Sequence, residues 1–239
     1  MKTRVLTLVG LCGALSAAEP PARSHDGYDL PPGWDPPIHD STTNFLVLFE
    51  KLEFRTGEAS DAAVFDAQGW VGGDFNRFWW KAEGEQETRT PKTGEFEFQA
   101  LYGRLIRPYW DVQAGVRVDR QYSGETHDTR GHLAVGLQGL APYWFELEPT
   151  LSLSDQGGVT FDLEASFEQL ITQRLVLEPR IDLSAAATSD PERHTGAGIT
   201  EIEVELRLRY DVDRQFAPYV GVTWRRALGE TSGLRRRAG

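Results

Sequence analysis

Along residues 201–212, EIEVELRLRYDV, apolar and polar positions alternate almost without a break. Ile202, Val204, Leu206, Leu208 and Tyr210 fall on one side; Glu201, Glu203, Glu205, Arg207 and Arg209 fall on the other. Successive side chains of an extended chain point to opposite faces, so a period of two predicts a strand with one greasy and one charged face. The pattern recurs. In 109–122, Trp110, Val112, Ala114, Val116 and Val118 alternate with Asp111, Gln113, Gly115, Arg117 and Asp119. In 143–154, Phe145, Leu147, Leu151 and Leu153 alternate with Glu146, Glu148, Thr150 and Ser152. In 158–171, Phe161, Leu163, Ala165 and Phe167 face away from Asp162, Glu164, Ser166 and Glu168. In 174–187, Leu175, Leu177, Pro179, Ile181 and Leu183 face away from Arg174, Glu178, Arg180 and Asp182.

Eleven strands are expected, at 44–56, 63–74, 76–86, 94–107, 109–122, 130–141, 143–154, 158–171, 174–187, 197–211 and 214–227. No helical periodicity is long enough to matter. Globular strands usually run about five or six residues, and these are about twice that. Long strands with dyad alternation suit a tilted barrel that crosses a bilayer. The links sort the same way. GDFNR (73–77), IRPYW (106–110), LAPYW (140–144), LITQR (170–174) and DVDRQ (211–215) read as tight turns. Longer polar links, at 57–62, 87–93, 123–129, 155–157 and 188–196, alternate with them. Outer-membrane barrels have short turns at one end and longer loops at the other. Aromatics gather beside the tight turns: Phe75, Phe78, Trp79, Trp80, Tyr109, Trp110, Tyr143, Trp144, Phe145, Phe216 and Tyr219. That grouping fits an aromatic girdle at one membrane interface.

Alternation alone leaves the orientation open. A soluble sandwich buries the apolar face, whereas a membrane barrel turns it to lipid and lines its lumen with the polar one. The start of the chain favours the barrel. Lys2 and Arg4 precede an apolar run from Val5 to Leu15, followed by Ser16-Ala17-Ala18. This is the plan of a secretory signal peptide cleaved after Ala18. The single Cys, Cys12, and the single Met, Met1, lie inside it, so the exported chain has no disulfide and no thiolate or thioether ligand. Losing Lys2 and Arg4 takes the formal charge from −11 to −13. An acidic chain lacks the basic footprint of a nucleic-acid partner, and no nucleic acid is expected. The expected organisation is a signal peptide at 1–18, an irregular Pro-rich segment at 19–43 and a β-barrel at 44–239.

Several stretches resemble one family. EFQALYGRLIRPYWDVQAGVRVD, GLQGLAPYWFELEPTLSLSDQG, FEQLITQRLVLEPRIDLSAAA and ELRLRYDVDRQFAPYVGVTWRRALGET, with FDAQGWVGGDFNRFWWKAEGE before them, are similar to the copper resistance protein B family of Gram-negative outer membranes. The resemblance runs in order from 25 to 232. It implies an antiparallel transmembrane β-barrel of the outer membrane, all-β, in contact with outer-membrane lipid. It also implies that the barrel handles copper ions beside a periplasmic multicopper oxidase, without catalysis of its own. In the family the barrel continues past Gly229-Glu230-Thr231 to a further strand, so twelve strands are expected of the complete protein, the last one missing here. Family members commonly carry a Met- and His-rich stretch before the barrel; here that segment has no Met and only His25 and His39.

Two sets of residues could meet a metal. His25, Asp26, His39 and Asp40, with Asp29 and Asp35 between them, offer imidazole and carboxylate donors suited to Cu(II), or else form a solvated linker. Glu146, Glu148, Glu164, Glu168, Glu178, Glu201, Glu203 and Glu205 project toward the expected lumen together with Arg174, Arg180, Arg207 and Arg209. They form either a cation-attracting interior or a network of ion pairs that fills a narrow barrel. His132 is expected to be a hydrogen-bonded filler, and His127 and His194 to lie in outer loops. Other readings are a porin-like channel for another small solute, or a hydrolase on a barrel scaffold. The hydrolase would need Ser, His and Asn or Asp within hydrogen-bond reach, and no Ser stands out near His132.

Overall fold

A computed structural model describes residues 4–6, 43–57, 61–89 and 93–238. The expected cleavage site after Ala18 and the candidate residues His25, Asp26, His39 and Asp40 lie outside the described residues. The elements are β1 (Arg4–Leu6), β2 (Asn44–Arg55), β3 (Ala62–Gly72), β4 (Asn76–Glu87), β5 (Thr93–Arg107), β6 (Trp110–Ser123), β7 (Thr126–Ala141), a 3-10 turn (Pro142–Trp144), β8 (Phe145–Ser154), β9 (Val159–Phe167), β10 (Gln169–Leu170), β11 (Leu175–Ala186), β12 (Gly198–Tyr210), β13 (Tyr219–Ala227) and α1 (Gly229–Ala238). All strands belong to one antiparallel sheet in the order β1-β13-β12-β11-β9-β8-β7-β6-β5-β4-β3-β2, with β10 also on β11. From β2 to β13 the long strands therefore pair in sequence order, up and down. The short β1 pairs with β13 opposite Gly221–Thr223. The two sides of the sheet come together through side chains. Tyr219 Oη on β13 donates to Glu53 Oε2 on β2 at 2.9 Å, and Arg55 on β2 reaches Glu203 on β12 at 3.2 Å.

Eleven long strands form where alternation predicted eleven, and the fold is the expected all-β antiparallel barrel. The inward face is the charged one. On β12, Glu203, Glu205 and Arg207 are 6%, 1% and 4% exposed, while Val204 and Leu206 between them are 36% and 41% exposed. Leu133, Val135, Leu151 and Leu153 are likewise exposed on the outer face. A sandwich would show the reverse, so the barrel orientation is decided. A β-bulge between Phe49 and Lys51 shifts the phase of β2. An extra residue at that point lets Lys51, Glu53 and Arg55 face inward while Leu52 and Phe54 face out.

Four local expectations change. β7 starts at Thr126, so the expected long link at 123–129 shrinks to a two-residue hairpin turn with Gly124 at φ +65°. β13 starts only at Tyr219, because Asp213 Oδ1 accepts the N–H groups of Gln215 (2.7 Å) and Phe216 (2.9 Å) and holds an Asx turn in place of strand. The sorting of short and long links is therefore looser than the sequence suggested. Residues 229–238 form a helix that the strand pattern did not show. Finally, Trp79 and Tyr219, read as girdle aromatics, point inward; Phe75, Phe78, Tyr109, Tyr143 and Trp144 are exposed at the turn end as expected. Trp79 packs with Leu101, Ala134 and Trp70. Gly103 makes room for it, since a Cβ there would lie 2.7 Å from the indole.

Candidate functional site

The sheet register aligns charges of one sign. On β3 to β6, Asp66, Glu83, Glu97 and Asp119 stand directly opposite one another. On β8, β9, β11 and β12, Glu148, Glu164, Asp182 and Glu203 do the same. Like charges directly opposite weaken strand pairing, so each row needs cations from elsewhere. They come from across the lumen. Lys81 on β4 donates to Glu148 on β8 at 2.5 Å. Arg117 on β6 reaches Glu97 at 2.9 Å and Asp162 on β9 at 3.2 Å. Arg180 on β11 meets Asp182 at 3.2 Å, Glu50 on β2 at 3.6 Å and Asp66 on β3 at 4.0 Å, and donates to Glu164. These pairs tie opposite walls together.

Both carboxylate rows line a cavity of about 400 Å³. Twelve carboxylates and seven Lys or Arg side chains border it, so its potential favours cations. A second cavity, of about 160 Å³, lies among Glu146, Glu168, Glu178, Arg207 and Arg209. Glu205 Oε2 accepts from Arg207 at 2.8 Å and pairs with Lys51 at 3.5 Å. Glu178 accepts from Arg207 at 3.4 Å and from Arg209 at 3.3 Å. Glu201 borders the larger cavity and is bound by Arg235 of α1. Arg174 departs from the expected set. It lies in the 171–174 turn, exposed, bordering neither cavity, because β11 begins one residue later. Among the described residues, no three His, Cys, Asp or Glu side chains converge as a metal-ligand set. The lumen thus offers an oxygen-rich field.

His132 is buried on β7, and its Nε2 bonds Asp119. Ser154 stands directly opposite it in the β7–β8 ladder, which the sequence did not reveal. The Ser154 hydroxyl donates to Asp155 at 3.1 Å. Near the loop end, Arg193 reaches Asp119 and, at 2.5 Å, Asp128. Arg130 binds Asp128 at 3.0 Å, Glu192 at 3.5 Å and Asp190. Burial pushes the Asp190 carboxyl up, but hydrogen bonds from Arg130 and the Arg193 N–H, with the charges of both arginines, hold it below its ordinary range. Lys51, Glu53 and Arg55 were legible in EKLEFR as one alternating face. Arg130 and Arg193 left no such signal, since, apart from Asp128 beside Arg130, their ion-pair partners lie about 60 residues away or more.

The model of the copper resistance protein B precursor family matches residues 43–239, from the first residue before β2 to the end of the chain. The chain belongs to the copper resistance protein B family. It is 39% identical over 202 residues to copper resistance protein B of Escherichia coli, covering 84% of this chain and 66% of that protein. It is 38% identical over 213 residues to the copper resistance protein B homolog of Pseudomonas syringae pv. tomato, covering 89% of this chain and 68% of that one. The chain spans about two thirds of the length of these relatives.

Proposed function

We propose that this chain is an exported barrel of the Gram-negative outer membrane that serves copper resistance by drawing Cu(II) into its acidic lumen, without a catalytic step. The observation that carries the reading is the inverted barrel: apolar side chains outward, as lipid requires, and paired rows of carboxylates inward. Membership of the copper resistance protein B family directs the reading to copper. The leader-like residues 1–18 would deliver the chain across the inner membrane, and the aromatic turn end would face the periplasm. Among the described residues the lumen supplies carboxylate oxygens and the imidazole of His132, which suit a divalent ion held loosely. Soft Cu(I) has no thiolate or thioether to bind after Ala18, because Cys12 and Met1 both precede it. His25, Asp26, His39 and Asp40, outside the described residues, offer imidazole and carboxylate donors suited to Cu(II), and a periplasmic multicopper oxidase would work alongside. A porin-like route for another small solute would use the same barrel, and copper specificity separates the two.

The test is growth of a strain lacking the gene on rising copper, with zinc and silver as controls. Loss of tolerance to copper alone, restored by the intact gene, is expected. Unchanged copper tolerance would refute the reading. Replacing His25 and His39 with Ala isolates the N-terminal segment: undiminished copper affinity of the purified chain would remove it as a binding site.

A further inference from the structure

The link between β11 and β12, residues 187–197, does not stay on its own side of the barrel. β9 and β8 separate β11 from β7 in the sheet, yet Arg193 and Asp190 of this link bind Asp119 on β6 and Asp128 and Arg130 on β7. The link therefore crosses the loop end of the lumen, and the Arg193 guanidinium sits on Asp119, a carboxylate of the larger cavity. The crossing segment is preformed. Asp190 and Thr195 exchange N–H···O bonds of 2.7 and 2.9 Å, and His194 takes a left-handed φ of +55° between them. Its rear is held by α1. Gly196 N–H donates to the buried Thr231 hydroxyl at 2.8 Å, and Glu230 accepts from Ser189 Oγ at 2.8 Å and Ala197 N–H at 3.1 Å. Gly196 is required there, because a Cβ would lie 2.4 Å from that of Glu230.

We propose that residues 187–197 are a strap that closes the loop end of the lumen, latched by Arg193 and Arg130 onto Asp119, Asp128 and Asp190. The segment ATSDPERHTGA carries no aliphatic side chain larger than alanine, Pro191 aside. Closure thus rests on ion pairs and hydrogen bonds, with no apolar anchor. Ion pairs near a water-filled mouth are screened by salt and are open to competition from cations for the same carboxylates. An arriving divalent cation that engages Asp119 and Asp128 displaces Arg193 and frees the strap, so the cavity's own cargo class opens its entrance. Within the strap Glu192 is also bound by Arg130, and beside it His132 shares Asp119.

The inference rests on the reading of the chain as a barrel with an aqueous lumen, and two measurements keep the two apart. Hydrogen–deuterium exchange of the full chain in detergent reads the latch at the amides of Asp190, His194 and Thr195, which are bonded within the crossing segment. Arg193→Gln, and separately Asp128→Asn, should speed their exchange about tenfold while β3 to β5 stay protected. High salt should do the same to the unaltered protein. Exchange unchanged in both variants would overturn the latch. In planar bilayers, Arg193→Gln should raise single-channel conductance, as should micromolar Cu²⁺ added at the loop side of the unaltered protein. Faster exchange with the same conductance would overturn the strap as a closure. Failure of every variant to enter lipid would instead refute the membrane reading, and the exchange data would still decide the latch.

Discussion

Single charges inside the barrel differ in consequence according to what shields them. Glu205 is 1% exposed and serves both Arg207 and Lys51. Removing its charge takes from buried Lys51 its ion pair with Glu205 and leaves Arg207 with Glu178 at 3.4 Å, and breaking such a buried set costs roughly 3 kcal/mol. Glu205→Gln should therefore lower the denaturant midpoint of the detergent-refolded barrel substantially. Arg209, a quarter exposed and near the turn end, shares Glu168, Glu178 and Asp211. Arg209→Ala should cost about 1 kcal/mol or less, since solvent screens it. Equal midpoints for the two variants would contradict the ranking of these charges by burial. Both residues were legible in EIEVELRLRY as members of one charged face. Their different burial was not, because it depends on Lys51 arriving from a strand about 150 positions earlier.

At the scale of the strand, the outer face carries the test of the surrounding solvent. Val135 lies mid-way along β7, is 54% exposed, and pairs with Ala114 and Leu151 on the neighbouring strands. An arginine at a bilayer midplane costs about 2–4 kcal/mol, whereas a surface change on a water-exposed sheet stays within about 0.5 kcal/mol. Val135→Arg should destabilise the barrel folded into lipid vesicles by the larger amount, and Tyr143→Arg, at the turn end, by far less. A small effect at Val135 would mean that this face meets water. The strands themselves were the most legible part of the sequence, several to within one residue, because a two-residue period over a dozen positions leaves little freedom. The ends were less so. The start of β7 and the Asx turn before β13 depend on Gly124 and Asp213 geometry, which periodicity does not carry. Helix α1 escaped notice because GETSGLRRRA has no apolar stripe; its place comes from Thr231 and Glu230 docking on residues 189–197.

Across the whole molecule, the charge rows set the sign of the potential in the lumen. Four carboxylates in line on each of two walls, with too few cations to balance them, make the larger cavity a well for positive charge. Under a salt gradient, the reversal potential of the barrel in a planar bilayer should show preference for cations. Neutralising Glu83 and Glu97 together should reduce that preference more than neutralising Glu87, which does not border the cavity. Anion preference, or no change on neutralisation, would contradict the assignment. Cross-lumen pairs such as Lys81–Glu148 and Arg180–Asp66 also limit the bore, so the interior both attracts cations and is partly filled.

What the sequence determined was everything with a short repeat. The dyad alternation set the strands, their number and which residues share a face, and the quoted stretches set the family. What it left to the tertiary structure was each relation between strands distant in sequence. Which face turns inward, which carboxylates stand in line, which arginine crosses to which wall, and that residues 187–197 span the mouth all depend on register and on how the sheet curls. A local pattern records the period of the side chains. It does not record the closure that brings Arg193 to Asp119.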